Sequence, residues 1–156
     1  RASMEYFPGK KGLGAVRHGF LPDLLPENLA ERVQFFEDQP VLQEVPQLGP
    51  AYDLLGDGSI QMIGLPGHCR GQYGAWLQHG ASQETFLVSD AIWLEENLQS
   101  NQRPSRLISL FIDDWAAYHH TIEGLNQFQQ AHPKTELICC HSPRVFSEKV
   151  INQHLF

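Results

Sequence analysis

The stretch GDGSIQMIGLPGHCRGQYGAW, residues 56–76, decides how the chain is read. An alternating apolar run enters a loop of glycines, one proline and one histidine, and a second alternating run leaves it. Alternation over five to seven residues bounded by turn residues is the pattern of strands with one face buried. Working outward, "VLQEV", "AYDLLG", "SIQMIGL", "QYGAWLQH" and "ETFLVSD" make five candidate strands between Val41 and Asp90, with Asp57-Gly58 as a hairpin signal. An antiparallel meander is expected there. Beyond it the period lengthens. "AIWLEENLQ" reads as a short helix, a loop follows around Pro104, and a long helix is expected from about Asp114 to Ala131. Trp115, Tyr118, Ile122, Leu125 and Phe128 form its apolar face, and Asp113 or Asp114 serves as N-cap. "TELICC" then reads as a buried sixth strand, with Cys139 and Cys140 pointing to opposite faces.

Upstream of the meander the texture differs. "KKGLGAVRHGF" is glycine-rich and cationic without a period, so it reads as a surface loop, with His18 placed to meet solvent or an anionic substrate. Pro26, Leu29, Val33 and Phe36 recur at helical spacing and predict a short amphipathic helix. Arg1-Ala2-Ser3 before Met4 reads as an expression-tag remnant, with the natural chain starting at Met4. The 156 residues are expected to form a single domain: residues 4–40 as loop plus helix, and residues 41–156 as sheet and helices.

Composition narrows the function classes. Eighteen acidic against 11 basic residues give a formal charge of −7, and no basic stripe interleaves with aromatics. A nucleic-acid surface is therefore not expected. The apolar runs fall far short of the roughly 20 residues of a membrane span, and no signal-peptide core is visible. Three cysteines, Cys69, Cys139 and Cys140, form no CxxC pair and suit a reducing compartment, so a cytoplasmic protein is expected.

Three residues each follow a candidate strand directly: His68, Asp90 and His141. Strand ends in a layered sheet converge on one rim, so the three are expected to meet there, and two imidazoles with a carboxylate suit zinc, manganese or iron. Each also has a plain structural reading. His68 fits a turn, Asp90 fits the N-cap of a helix beginning at Ala91, and His141 fits the opening of the "HSP" turn. Spacing alone leaves both readings open. Cys69 beside His68 is a further candidate as a soft ligand. His119 and His120 diverge by about 100° on a helix and do not chelate one ion.

Taken together and in order, "LPGHCRGQYG", "FLVSD" and "ICCHSP" resemble the second half of the metallo-β-lactamase fold, particularly hydrolases similar to the acyl-homoserine lactonases. "GFLPDLLPEN" with Arg32 resembles a connecting segment of that group. The resemblance implies an α/β fold, half of an αββα sandwich, with a mostly antiparallel sheet and helices on one side. It also implies that His68 ligates a first metal, Asp90 bridges two, and His141 ligates the second. Gly64, Gly67 and Gly71 would let the backbone turn the imidazole of His68 toward the metal.

The departures from the family carry as much weight. Its first-half HxHxDH motif, which supplies two ligands to each metal, is not found in this sequence. What remains is one exclusive ligand per metal plus the bridge, against the three protein ligands of a catalytic zinc. The expected cofactor is therefore none, or one weakly bound divalent metal, zinc first. In the lactone-cleaving members a tyrosine follows the bridging aspartate by three residues. Trp93 stands there, read either as a cleft residue or as a core residue on its helix.

A half-sandwich leaves a sheet face uncovered, so a homodimer through that face is expected. The chain is accordingly expected to be a truncated, metallo-β-lactamase-like protein without hydrolysis as a monomer, acting as a dimeric scaffold or small-molecule-binding protein. The alternative is a metal-dependent lactone or ester hydrolase completed by dimerisation or by a separate N-terminal half.

Overall fold

The computed structural model describes residues 21, 24–80, 83–94, 96–99, 112–145 and 147. Alternating apolar residues between turns give six strands: β1 Val41–Val45, β2 Gly49–Asp53, β3 Ile60–Gly64, β4 Tyr73–His79, β5 Gln83–Ser89 and β6 Thr135–Cys139. They lie in one sheet in sequence order. The first four pairings are antiparallel and the fifth, β5 with β6, is parallel. The expected meander, the sixth strand and the mostly antiparallel α/β character are all present.

Four α-helices are described, α1 Leu29–Arg32, α2 Glu96–Gln99, α3 Trp115–Ala131 and α4 Pro143–Val145, with a 3-10 turn at Phe36–Asp38. Only α3 is long. Asp114 caps it, its Oδ1 accepting from Ala117 N at 3.0 Å. Tyr118, Ile122, Leu125 and Phe128 are buried, as their spacing predicted, and Trp115 packs against the core's margin. Phe128 meets Trp76 edge-on and Phe86 at a tilt, each with ring centroids 5.0 Å apart. Those contacts put α3 on the face formed by Trp76, Phe86, Val88 and Leu137, where the core sits.

Two helix expectations are corrected. The helix read into 91–99 begins only at Glu96, because Ala91 and Ile92 are pulled into the core at 1% and 0% exposure. Asp90 is consequently not a helix N-cap. The helix read from Pro26 toward Phe36 is one turn, Leu29–Arg32, followed by a 3-10 turn at Phe36–Asp38. Asn28 provides no side-chain cap, and the extended backbone of β-branched Val33 ends the helix. The Asp57-Gly58 signal does mark a hairpin, but one with a six-residue connection held by Asp53. Its Oδ1 and Oδ2 each accept at 2.9 Å, from the N–H groups of Gly56 and Gly58. The expected tag remnant at residues 1–3, the residue 10–20 loop with His18, and the loop around Pro104 lie outside the described residues.

The second sheet face carries Tyr52 and Tyr73, and the 3-10 turn leans on it through Phe36, 5.0 Å from the Tyr73 ring. The Tyr73 hydroxyl is hydrogen-bonded to Glu37, and burial pushes its pKa up to about 12, with the Glu37 and Tyr52 charges adding to the effect. A tyrosine that ionises near 10 when unfolded and near 12 when folded leaves stability untouched below pH 10. Stability is then lost as pH climbs through that interval. Urea titrations between pH 9 and 12 are expected to show this loss, with a smaller loss in Tyr73→Phe; identical curves would remove Tyr73 as its source.

Candidate functional site

Strands β3, β5 and β6 run in the same direction, because two antiparallel steps separate β3 from β5 and β6 is parallel to β5. Their C-terminal ends share one rim, and the residues that follow them are His68, Asp90 and His141.

His68 sits in a loop clamped to the start of α3. Gly67 O accepts from Asp114 N at 3.0 Å and His68 O from Asp113 N at 3.2 Å. Thr121 Oγ1 donates to Pro66 O at 2.7 Å, and Arg70 Nε donates to Asp113 Oδ2 at 3.1 Å. Of Gly64 and Gly67, both expected to shape the loop, Gly67 is the one the packing demands: its φ is +133°, and a Cβ there would lie 2.3 Å from Tyr118 Cα. Gly64 faces open space at an ordinary φ within β3.

Asp90 is aimed by Ser89, which holds a left-handed φ of +52° next to a register shift between β5 and β6. Ser89 Oγ donates to Tyr73 O at 3.2 Å, and Ser89 O accepts from Cys140 N at 3.4 Å. A non-glycine residue in this region costs on the order of 1–3 kcal/mol and persists only where its surroundings impose it. Sequence reading missed Ser89, since nothing in "FLVSD" marks a left-handed residue; it also missed the clamp from Asp113 and Thr121.

The three expected residues do come together. His141 Nε2 lies 3.2 Å from Asp90 Oδ1, and His68 Nε2 lies 4.0 Å from Asp90 Oδ2. Each carboxylate oxygen therefore faces a different imidazole. Neither approach is a directed hydrogen bond, and Asp90 Oδ1, His68 Nδ1 and Trp93 Nε1 are buried atoms without a hydrogen-bond partner. Trp93 precedes α2 rather than occupying its first turn, and its ring stands 6.2 Å from that of His68 and 5.9 Å from that of His141. The indole lies against both histidines.

Cys69 is half-buried beside this group, its Sγ 4.0 Å from Gln72 Oε1. Burial pushes its thiol pKa up, and Asp90 and Asp113 add to that against a backbone hydrogen bond from Gly71. Burial and Asp90 act likewise on exposed Cys140. Both are held toward the thiol form, whereas metal ligation needs the thiolate.

The donor chemistry suits a divalent metal but the arrangement does not complete a site. Among the described residues, no three or more His, Cys, Asp or Glu side chains are grouped so as to hold an ion. An ion placed beside either imidazole would draw on one nitrogen and one carboxylate oxygen, short of a catalytic zinc's three protein ligands.

The fold has counterparts among solved structures. An N-acyl homoserine lactone hydrolase with N-hexanoyl-L-homoserine bound at its catalytic metal centre superposes with a TM-score of 0.50 and 17% identity, over 63% of this chain and 36% of that one. A single-substitution mutant of AiiA from B. thuringiensis, with N-decanoyl-L-homoserine in its active site, gives the same four values. The chain is a partial metallo-β-lactamase fold. It spans about a third of the length of these neighbours, and at that identity the likeness concerns the fold. No protein-family profile and no curated protein matches the chain.

Proposed function

We propose that this half-sandwich is a cytoplasmic, non-hydrolytic protein that acts as a dimeric scaffold or binds a small molecule at the strand-end rim. One observation carries the reading: each imidazole at the rim faces a single carboxylate oxygen, and no third ligand joins them among the described residues. Generating a hydroxide nucleophile at neutral pH requires a firmly held metal with an open position. His68, Asp90 and His141 would give at most one loosely held divalent ion, zinc first in order of ligand chemistry. Trp93 has an indole N–H that donates but lacks the acid-base behaviour of a phenol. That residue suits holding a polar ligand better than polarising a scissile carbonyl. Among the described residues no helix is long and apolar enough to cross a membrane.

The test loads the protein with zinc, removes excess by gel filtration, and measures retained metal alongside turnover of an acyl-homoserine lactone and a p-nitrophenyl ester. Substoichiometric zinc and no turnover above buffer are expected. About two retained equivalents per chain with chelator-sensitive hydrolysis, the composition of a two-metal site, would overturn the proposal in favour of a completed hydrolase.

A further inference from the structure

Trp93 is held in place by its neighbours along the chain rather than by a bond of its own. On one side Ala91 and Ile92 are buried in the core, and on the other Leu94 N donates to Asn97 Oδ1 at 3.1 Å. The indole Nε1 has no hydrogen-bond partner. Among the described residues, the partly buried apolar side chains packed against the core are Leu48, Leu98, Ile112 and Trp115, and Trp93 is not one of them. Its ring instead meets two imidazoles, that of His68 with 73° between the planes and that of His141 with 62°.

The rim falls short of a metal site by a measurable distance. Ligand atoms about 2.0–2.2 Å from a tetrahedral zinc stand roughly 3.3–3.6 Å from one another. His141 Nε2 and Asp90 Oδ1, 3.2 Å apart, come close to that spacing. His68 Nε2 and Asp90 Oδ2, 4.0 Å apart, do not, and the two imidazoles approach different oxygens. The backbone of His68 is pinned to the start of α3, but its partly exposed side chain can turn about its own torsions without disturbing that clamp. We propose that the Trp93 indole is a wedge that holds His68 and His141 on separate carboxylate oxygens and so keeps the rim from closing on one divalent ion. An indole N–H donates and does not ligate, so Trp93 adds bulk beside both imidazoles without adding a donor atom for the ion. With the wedge removed, two imidazole nitrogens and Asp90 can converge as the three protein ligands of a single zinc. Trp93 is thereby a specificity-determining residue that selects against metal.

The inference rests on the reading of this rim as non-hydrolytic, and the two fail separately. Zinc retained by the wild-type chain tests that reading, whereas the change on replacing Trp93 tests the wedge. Zinc is titrated into metal-stripped wild type, Trp93→Ala and Trp93→Val in competition with a chromophoric chelator. Both variants are expected to bind zinc on the order of 10–100-fold more tightly than wild type, the usual reach of groups that orient a metal's ligands, with far-UV spectra unchanged. Saturating indole in the buffer is expected to refill the space in Trp93→Ala and return its affinity toward the wild-type value. His141→Ala in the Trp93→Ala background is expected to abolish the gain, since one of the two nitrogens is then missing. Wild-type affinity in a variant that keeps its far-UV spectrum would overturn the proposal, as would a gain that indole leaves untouched or that survives His141→Ala. A measurement on the wild type needs no variant to fold: zinc is expected to shift the ring resonances of one imidazole only. Both imidazoles shifting together with the first equivalent would show that the indole does not keep them apart.

Discussion

Gly67→Ala is expected to lower the melting temperature by about 10 °C and to displace His68. The added methyl would begin 2.3 Å from Tyr118 Cα and 2.5 Å from Tyr118 N, backbone atoms that no rotamer change moves aside. The residue also holds a φ of +133°, which a β-carbon disfavours. Overpacking costs about 1–3 kcal/mol and the forbidden backbone about 1–3 more. At about 2–4 °C per kcal/mol for a domain of this size, the sum reaches that shift. The loop cannot simply retreat, because Gly67 O and His68 O are both bonded to backbone N–H groups at the start of α3. Calorimetry gives the stability, and the His68 ring resonances report the displacement. A variant that melts with wild type and keeps those resonances would show that the loop and α3 are not locked together.

Phe128→Ala is expected to cost about 3–5 kcal/mol, the usual penalty for emptying an aromatic site in a core. Phe128 is 2% exposed and touches three rings: Trp76 and Phe86 from the sheet, and His132, stacked at 4.4 Å, from the helix's own end. It is the bolt between α3 and the sheet. In contrast to Gly67→Ala, the loss should leave the His68 loop in place until global unfolding, since Phe128 sits about two turns beyond Thr121, the nearest residue of the clamp. Chemical denaturation with tryptophan fluorescence measures it; a loss under about 1 kcal/mol, typical of a surface position, would place the fold's adhesion elsewhere.

How far the sequence foretold all this depended on whether a structure is dictated by neighbours along the chain or by contacts across it. Strands β3 to β5 were legible because Ile60, Met62 and their partners alternate with residues buried on the opposite face. Helix α3 was legible from Tyr118, Ile122, Leu125 and Phe128, down to its cap. The short helices were not, because Ala91 and Ile92 are drawn out of helical geometry by burial, and Asn28 offers no cap. At the rim, the meeting of His68, Asp90 and His141 followed from their places after strands of common direction. The left-handed Ser89 and the grip of Thr121 on Pro66 did not, because each depends on an atom far away in sequence. Trp93 was open to two readings, and the position of its ring beside both imidazoles was not legible in the sequence at all.

The parallel seam between β5 and β6 has a kinetic meaning. Neighbours in the meander zip up through short turns, whereas β6 reaches β5 only after the chain has travelled from Ser89 through α3 to Thr135. Closing that long excursion is an entropic toll levied before any contact repays it. Asp90 and His141 stand at the far end of this seam, so the rim takes shape only when the longest-range strand pairing among the described residues has closed.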